Sequence, residues 1–283
     1  MPFITVGTEN SAPIDLYYED HGSGKPVVLI AGFPFNGATF EKATNALLNA
    51  GYRTITYDRR GYGNSAQPAF GYDYNTFAAD LDVLMTELDL KEATLIGHSM
   101  GTGEVVRYLA NYGSQRVSRG VLLSPLQPML AKAKDNPEGV DTSLFKGFQD
   151  AIIKDRYAYL TQFCDAFFNY SENKGKLVSE DAYRGHWQIG AMASARATHD
   201  SVTAWQEDFR QDLPKIDVPI LIMQGDKDNV LPYPVTGQRL GPMMPTANLI
   251  TMKGAPHGIP WTHADEVNKA IMDFMKQPAK ARA

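Results

Sequence analysis

Cysteine is nearly absent from this chain of 283 residues, which contains a single one, Cys164. One cysteine excludes an internal disulfide and any zinc site built from several cysteines. The six histidines show no His-x-x-x-His spacing, the pattern with which one face of a helix holds a metal ion. We therefore expect no metal site, and we expect Cys164 to be a packed thiol in the apolar stretch around it.

Basic residues are too few for a surface that binds nucleic acid. The chain has 27 lysines and arginines against 32 acidic residues, a net charge of −5. Binding to a phosphate backbone needs a clustered basic face. The one basic cluster, the tail over residues 276–283, is short, and we expect it to be solvated. The charge balance thus predicts no nucleic-acid partner.

Apolar runs long enough to cross a membrane are absent as well. The first ten residues have neither the basic nor the apolar region of a secretory leader. These absences predict a cytoplasmic protein without a membrane partner. The length and a hydrophobic content of 43% instead allow one large globular domain with an insertion.

Short apolar runs rich in β-branched residues alternate with segments of helical period. The apolar runs cover residues 27–32, 52–58, 93–99, 119–125, 219–225 and 248–254. The helical segments cover residues 39–49, 75–88, 100–111, 234–240 and 263–275. This alternation is typical of βαβ units, and runs that are apolar throughout suit strands covered on both faces. The sequence predicts an α/β fold with a mostly parallel central sheet and helices on both faces.

The alternation stops between residues 126 and 212, where aromatic-rich segments of helical period replace the strand pattern. We predict a helical cap at 126–212, inserted into a core formed by residues 1–125 and 213–283. An insertion after the fourth parallel strand lies above the carboxyl ends of the strands. Open α/β sheets bind their ligands at that edge.

The stretch Gly97-His98-Ser99-Met100-Gly101 is the strongest functional signal. A Gly-x-Ser-x-Gly motif alone is weak evidence for a nucleophile, because the number expected by chance in a chain of this length is on the order of 0.1. Here the motif stands where a predicted strand ends and a helix begins, which is the setting of a nucleophile elbow. We predict that Ser99 is a nucleophile and that His98, whose side chain should point away from Ser99, is structural.

A serine hydroxyl needs a base, and the base needs an acid to orient it. In this class of sheet the chain order is serine, acid, histidine. His257 follows the last apolar run, and two carboxylates, Asp226 and Asp228, follow the run before it. We favour Asp228 as the acid, because it stands further along the loop, while Asp226 can cap the turn.

Acyl transfer also needs two N–H donors for the oxyanion that forms on the substrate. The backbone of Met100, directly after the nucleophile, is one candidate. The loop after the first parallel run offers the N–H of Phe33 as the second, since Pro34 has no N–H to give. We predict an oxyanion hole made by Phe33 and Met100.

Together these segments resemble a known family. Gly32-Phe33-Pro34, the run from Asp58 to Ser65, the run from Gly97 to Glu104 and the run from Gly254 to Gly258 are similar to the cofactor-free haloperoxidases, perhydrolases and aryl esterases of the α/β-hydrolase fold. The resemblance implies the triad Ser99, Asp228 and His257 and no haem, metal or flavin. For the run from Asp58 to Ser65, the resemblance implies only a structural role, as a tight turn after a strand. Where family members carry histidine and tryptophan, this chain has Ala31 and Phe33.

The resemblance also implies a reaction. A small ester or carboxylic acid would acylate Ser99, and water or hydrogen peroxide would release the acid or peracid. Pro34 is the residue that family members competent in perhydrolysis tend to carry. We expect a pocket lined by residues near the strand ends and from the cap, namely Pro34, Leu126, Phe163, Phe167, Trp205 and Ile259, beside Phe33 and Met100.

Several alternatives stay open at this point. A lactonase or amidase of the same fold would use the same residues, and a non-catalytic α/β-hydrolase acting as a ligand receptor would usually lack a triad member. A haloalkane dehalogenase or epoxide hydrolase would need a carboxylate in place of Ser99. The sequence leaves the acyl substrate undefined and leaves a homo-oligomer open.

Overall fold

The computed structural model describes residues 2–244 and 247–277. Within them, eight strands form one sheet: β1 (Phe3–Glu9), β2 (Ala12–His21), β3 (Pro26–Ile30), β4 (Arg53–Tyr57), β5 (Ala93–His98), β6 (Val117–Leu123), β7 (Ile220–Gly225) and β8 (Ala247–Met252). Their spatial order is β1-β2-β4-β3-β5-β6-β7-β8. The pairs β1 with β2 and β2 with β4 are antiparallel, and all later pairs are parallel.

Helices flank and cap this sheet. They are α1 (Glu41–Asn49), α2 (Tyr74–Glu87), α3 (Met100–Tyr112), α4 (Thr142–Phe168), α5 (Tyr170–Asn173), α6 (Glu180–Ala191), α7 (Ala195–Ala204), α8 (Gly237–Met243), α9 (Ile259–Thr262) and α10 (Ala264–Lys276). The prediction of an α/β fold with a mostly parallel sheet is thereby confirmed. Among the described residues no helix is both long and apolar enough to span a membrane.

Alternate residues of the central strands build two separate cores. In β3, Val28 and Ile30 join the larger core, whereas Val27 and Leu29 join the smaller core on the opposite face. Successive side chains of a strand point to opposite faces, so a strand covered on both faces must be apolar throughout. This burial explains the continuous apolar runs by which these strands were predicted.

The segment 126–212 contributes α4 to α7 and no strand, apart from isolated bridges. Helix α4 bends at Asp155, whose φ of −161° and ψ of 94° are not helical. The Asp155 carboxylate accepts the N–H of Ala158 at 3.0 Å and so caps the second half of the helix. The bend lets both halves of α4 turn apolar rings toward the sheet.

Sequence patterning missed the first two strands. The hairpin of β1 and β2 lies at the edge of the sheet and is largely exposed, with buried positions scattered among exposed ones. A strand of this kind lacks the continuous apolar run that marks the inner strands. Of the basic tail, residues 278–283 lie outside the described part of the chain.

Candidate active site

Ser99 stands at the turn between β5 and α3 in a strained conformation. Its φ of 54° and ψ of −122° are unfavourable for a residue with a side chain. The flanking glycines make the turn possible, because a Cβ on Gly97 would lie 2.5 Å from the carbonyl oxygen of Gly101. A Cβ on Gly101 would lie 2.2 Å from the carbonyl oxygen of Ile30. The motif therefore forms the tight elbow that its sequence predicts.

His257 and Asp228 form a buried pair. The Nδ1 atom of His257 lies 2.8 Å from Oδ2 of Asp228, and both side chains are fully buried. A carboxylate can only accept, so Nδ1 carries the proton and Nε2 is left free to act as a base. The Nε2 atom is buried and has no hydrogen-bond partner among the described residues. This is the state in which a histidine can take a proton from a hydroxyl group.

The Asp228 carboxylate is fixed by neighbours at its other oxygen. Oδ1 accepts the backbone N–H groups of Val230 at 2.9 Å and Leu231 at 2.8 Å. Asp226 plays a different part, since its carboxylate accepts the N–H of Gly254 at 2.6 Å. The structure therefore places Asp228 against His257 and uses Asp226 to tie the ends of two strands together.

His98 holds the backbone of His257. Its Nε2 atom lies 3.1 Å from the carbonyl oxygen of His257, and the Ser124 hydroxyl donates to the same oxygen at 3.0 Å. Burial, together with the neighbouring imidazole of His257, lowers the pKa of His98 from 6.5 to about 3. The His98 ring is therefore neutral near pH 7, and its Nε2–H donates, as the carbonyl requires. The His98 side chain therefore supports the loop that carries His257 and does not face Ser99.

Two backbone N–H groups are available beside Ser99. The N–H of Met100 begins α3 and has no acceptor within the helix. The N–H of Phe33, in the loop after β3, donates to no described residue. The carbonyl of the Gly32–Phe33 peptide accepts the N–H of Phe35 at 2.9 Å, which fixes the orientation of that peptide. These are the two donors that the sequence assigns to the oxyanion hole.

A cavity of about 300 Å³ lies beside Ser99. Of the residues expected in the pocket or the oxyanion hole, five line it: Phe33, Met100, Leu126, Phe163 and Trp205. Sequence reasoning missed four other residues that line the cavity: Phe145, Phe148 and Tyr159 of α4, and Leu231 in the loop after β7. Their positions depend on the bend at Asp155 and on the loop after β7, which composition does not reveal. The walls are therefore mostly aromatic and aliphatic.

Three residues expected in this pocket are not among those that line it. Phe167 instead packs its ring on that of His257, with centroids 5.4 Å apart. Pro34 is buried against Gly190 of α6, whose Cβ position would lie 3.1 Å from its Cγ. Ile259 is fully buried in the smaller core, on the far side of the sheet. Each of the three residues lies near the strand ends, but its side chain packs outside the pocket.

The histidine, cysteine and acidic side chains of the described residues form no cluster that could hold a metal ion. Among residues 2–244 and 247–277, no three histidine, cysteine or acidic side chains gather as a metal would require. Cys164 is buried, and burial raises the pKa of its thiol. It packs in the larger core with the apolar residues of α4.

Comparison with known proteins assigns the chain to a family. Residues 25–264 match the family profile described as alpha/beta hydrolase fold. The chain belongs to the α/β-hydrolase family. This α/β-hydrolase is 54% identical over 276 residues to a protein of Synechocystis sp. that is provisionally named a non-heme chloroperoxidase, covering 98% of this chain and 100% of the relative.

Two further relatives indicate which members of the α/β-hydrolase family this chain is most like in name. The crystal structure of a bromoperoxidase from Bacillus anthracis superposes with a TM-score of 0.93 at 44% identity, covering 98% of this chain and 99% of that one. A bifunctional esterase/perhydrolase of Acinetobacter calcoaceticus is 32% identical, covering 93% of this chain and 96% of the relative. The resemblance to cofactor-free haloperoxidases, perhydrolases and esterases is thereby confirmed for this α/β-hydrolase.

Proposed function

We propose that this α/β-hydrolase cleaves small esters through an acyl-enzyme on Ser99, and that hydrogen peroxide can replace water in the second step. The observation that carries the proposal is the buried pair of His257 and Asp228, which leaves Nε2 of His257 free. His98, the residue before the strained Ser99, contacts the backbone of His257 at 3.1 Å and so ties this pair to the elbow. An apolar cavity of about 300 Å³ opens on that serine. These are the parts of a serine acyl-transfer enzyme.

The first half-reaction forms the acyl-enzyme. Nε2 of His257 takes the proton of the Ser99 hydroxyl as its oxygen attacks the ester carbonyl, and Asp228 holds the imidazole in the required tautomer. The N–H groups of Phe33 and Met100 bind the oxygen that becomes negative. The imidazolium then gives its proton to the leaving alcohol as the C–O bond breaks.

The second half-reaction releases the acyl group. His257 takes a proton from water or hydrogen peroxide, whose oxygen attacks the acyl carbon, and Ser99 leaves with that proton. Water yields the carboxylic acid, and hydrogen peroxide yields the peracid. Any oxidation of halide would be a reaction of that peracid in solution. The printed names of the relatives, a bromoperoxidase and an esterase/perhydrolase, are consistent with these two outcomes.

Pro34 belongs to this proposal as a determinant of the second nucleophile. Its ring packs on α6 of the cap, so its influence on the site must pass through the backbone of the loop. A proline fixes φ at its position and has no N–H. We infer that the carbonyl before it is thereby oriented to favour hydrogen peroxide over water.

The remaining parts of the proposal concern partners and location. The apolar cavity fits a small acyl group, and the sequence gives no basic face for nucleic acid. We include a cytoplasmic location in the proposal. A homo-oligomer stays a prediction, which the molar mass measured by light scattering would test.

Hydrolysis and perhydrolysis of phenyl acetate test this function. Acetate and peracetate are measured with and without hydrogen peroxide, with Ser99→Ala as the blank. We expect both products from the wild type, neither above background from Ser99→Ala, and a lower ratio of peracetate to acetate from Pro34→Leu. Acetate without any peracetate would remove the perhydrolase half, and no serine-dependent product would contradict the function.

A further inference from the structure

A buried arginine contacts the loop that offers one of the oxyanion donors. Arg59 follows β4, and its guanidinium donates through Nη2 to the carbonyl oxygen of Ala31 at 2.9 Å. That carbonyl belongs to the peptide directly before the one that carries the Phe33 N–H. The Arg59 side chain is 3% exposed. The buried guanidinium of Arg59 thus holds residues 31–34, which we call the oxyanion loop.

The same arginine contacts the helix that offers the other donor. Its Nε donates to Oε2 of Glu104 at 2.7 Å, and Glu104, in α3, is fully buried. Glu104 follows Met100 by four residues, which is about one turn of the helix. The Tyr57 hydroxyl donates to the remaining oxygen of the Glu104 carboxylate. Arg59 therefore bridges α3 and the oxyanion loop.

We propose that the ion pair of Arg59 and Glu104 is a positioning device that sets the spacing between the N–H groups of Phe33 and Met100. The inference rests on the proposed acyl-transfer function. Neither charged side chain reaches the cavity, so neither is a catalytic residue. Their effect is on the geometry of the two donors that meet the oxyanion.

The pair is costly to bury, which argues for a role beyond packing. Burial alone would lower the pKa of Arg59, but the carboxylate of Glu104 beside it leaves that pKa raised, so the guanidinium stays charged. One of its donors, Nη1, is buried without any partner among the described residues. Two apolar side chains of similar size often give equal or greater stability than such a pair. Apolar side chains could not donate a hydrogen bond to Ala31.

A neighbouring ion pair provides a matched control. Arg60 donates through Nε and Nη2 to the two oxygens of Asp80, both at 2.6 Å. The two side chains are 8% and 4% exposed, so the burial is comparable. No hydrogen bond of this second pair reaches α3 or the oxyanion loop in the described part of the chain. Its loss should therefore affect stability without moving the oxyanion donors.

The test compares two double variants, because removing one charge leaves its partner buried and unpaired. Arg59→Met/Glu104→Gln removes the charges but keeps an acceptor for Tyr57, and Arg60→Met/Asp80→Asn is the control. On phenyl acetate we expect the first variant to lose about 10- to 100-fold in kcat, with KM within about 3-fold, because donors moved by a fraction of an ångström no longer fit the transition state. The control should keep kcat within about 3-fold.

A ligand pair separates the oxyanion from the pocket. Phenyl trifluoromethyl ketone forms a tetrahedral adduct with a serine, whereas acetophenone can only occupy the cavity. In Arg59→Met/Glu104→Gln, affinity for the trifluoroketone should fall by about the same factor as kcat, and affinity for acetophenone should stay unchanged. Equal losses for both ketones, or kcat retained in a folded variant, would overturn the inference.

An NMR measurement without substrate keeps the inference separate from the proposed function. The backbone amide resonances of Phe33 and Met100 should shift in Arg59→Met/Glu104→Gln and stay in place in the control. If the wild type shows no Ser99-dependent turnover, the proposed function fails, and these shifts still decide whether the pair positions the amides. Unmoved amides would overturn the inference even in an active enzyme.

Discussion

The sheet edge and the helical segment 126–212, which we propose is a cap and call the cap below, line one cavity but present different chemistry to it. The sheet edge offers Ser99, whose strained backbone is held by its N–H bond to the carbonyl of Leu123, and the pair of His257 and Asp228, also held by hydrogen bonds. The helical segment offers aromatic rings: Phe148 and Trp205 pack edge-on against each other, and Phe163 and Trp205 each pack edge-on against Phe33. Hydrogen bonds fix atoms to a fraction of an ångström, whereas apolar packing tolerates changes of shape. Reaction chemistry should therefore depend on the sheet edge, and substrate preference on the cap.

The largest effect should come from the sheet edge, at two carboxylates separated by one residue. In Asp228→Asn, Oδ1 can keep the N–H groups of Val230 and Leu231, which turns the amide NH₂ toward His257. His257 would then have to accept at Nδ1, and its Nε2 would carry the proton. We expect kcat on phenyl acetate to fall about 10⁴-fold.

Asp226→Asn is the matched control for this prediction. Its carboxylate accepts only the N–H of Gly254 among the described residues, and an amide oxygen can accept the same bond. We expect kcat within about 3-fold of the wild type, since a surface change away from the reacting atoms has little effect. Similar losses in both variants would remove Asp228 from its role as the orienting acid.

A smaller effect of a different kind should come from the cap. Phe148 lines the cavity from the first half of α4. Phe148→Ala should lengthen the pocket, and each additional buried methylene contributes about 0.8 kcal/mol, close to a factor of 4. We expect the kcat/KM ratio of phenyl hexanoate to phenyl acetate to rise about 10-fold, with kcat/KM on phenyl acetate within about 3-fold.

Ile153→Ala, on the same helix, is the comparison for the cap variant. The Ile153 side chain is 72% exposed and does not line the cavity. Its loss should leave the ratio of the two esters unchanged. If Phe148→Ala instead lowered kcat equally for both esters, the cap would take part in positioning the reacting atoms, and the division between the two regions would fail.

The smallest effect concerns stability at low pH, at a histidine of the sheet edge. The pKa of His98 falls from 6.5 to about 3 on folding, because burial disfavours the charged ring. Below pH 6.5 the His98 ring binds a proton in the unfolded chain but stays neutral in the folded chain. The contribution of His98 to the free energy of unfolding is therefore complete above pH 6.5 and declines as the pH falls. We expect a loss of about 1.4 kcal/mol in the free energy of unfolding per pH unit below 6.5.

Urea unfolding of the wild type and of His98→Asn between pH 5 and 7 measures this effect. The variant should lose less stability per pH unit than the wild type. His186 of the cap, whose pKa burial also lowers, remains in both proteins and cancels in the comparison. Parallel pH dependences for the two proteins would mean that His98 is charged in the folded state.

The sequence predicted the parts of the fold that burial makes apolar. Strands β3 to β7 are buried along nearly all of their length, so their composition marks them. The outer strand β8 is only partly buried but keeps an apolar run, whereas the exposed hairpin of β1 and β2 carries no such signal. The order of serine, acid and histidine follows from chain topology, and the structure brings Asp228 and His257 together. Motif spacing can supply that much because each residue stands at the end of a strand.

Side-chain direction was beyond the reach of the sequence. Ile259 and Phe167 lie near the strand ends, yet one packs under the sheet and the other on the ring of His257. The sequence predicts only a structural turn around Arg59, because its partner Glu104 lies 45 residues away. Contacts at such separations depend on how the helices and loops pack, which a single sequence does not record.

Covalent labelling shows whether Ser99 is an activated nucleophile. The wild type, Ser99→Ala and Asp228→Asn are treated with diethyl 4-nitrophenyl phosphate and followed by intact-protein mass and peptide mapping. We expect one diethylphosphoryl group per wild-type chain, on Ser99, none on Ser99→Ala, and much slower labelling of Asp228→Asn. A wild type that stays unlabelled, or that is labelled at another residue, would contradict it.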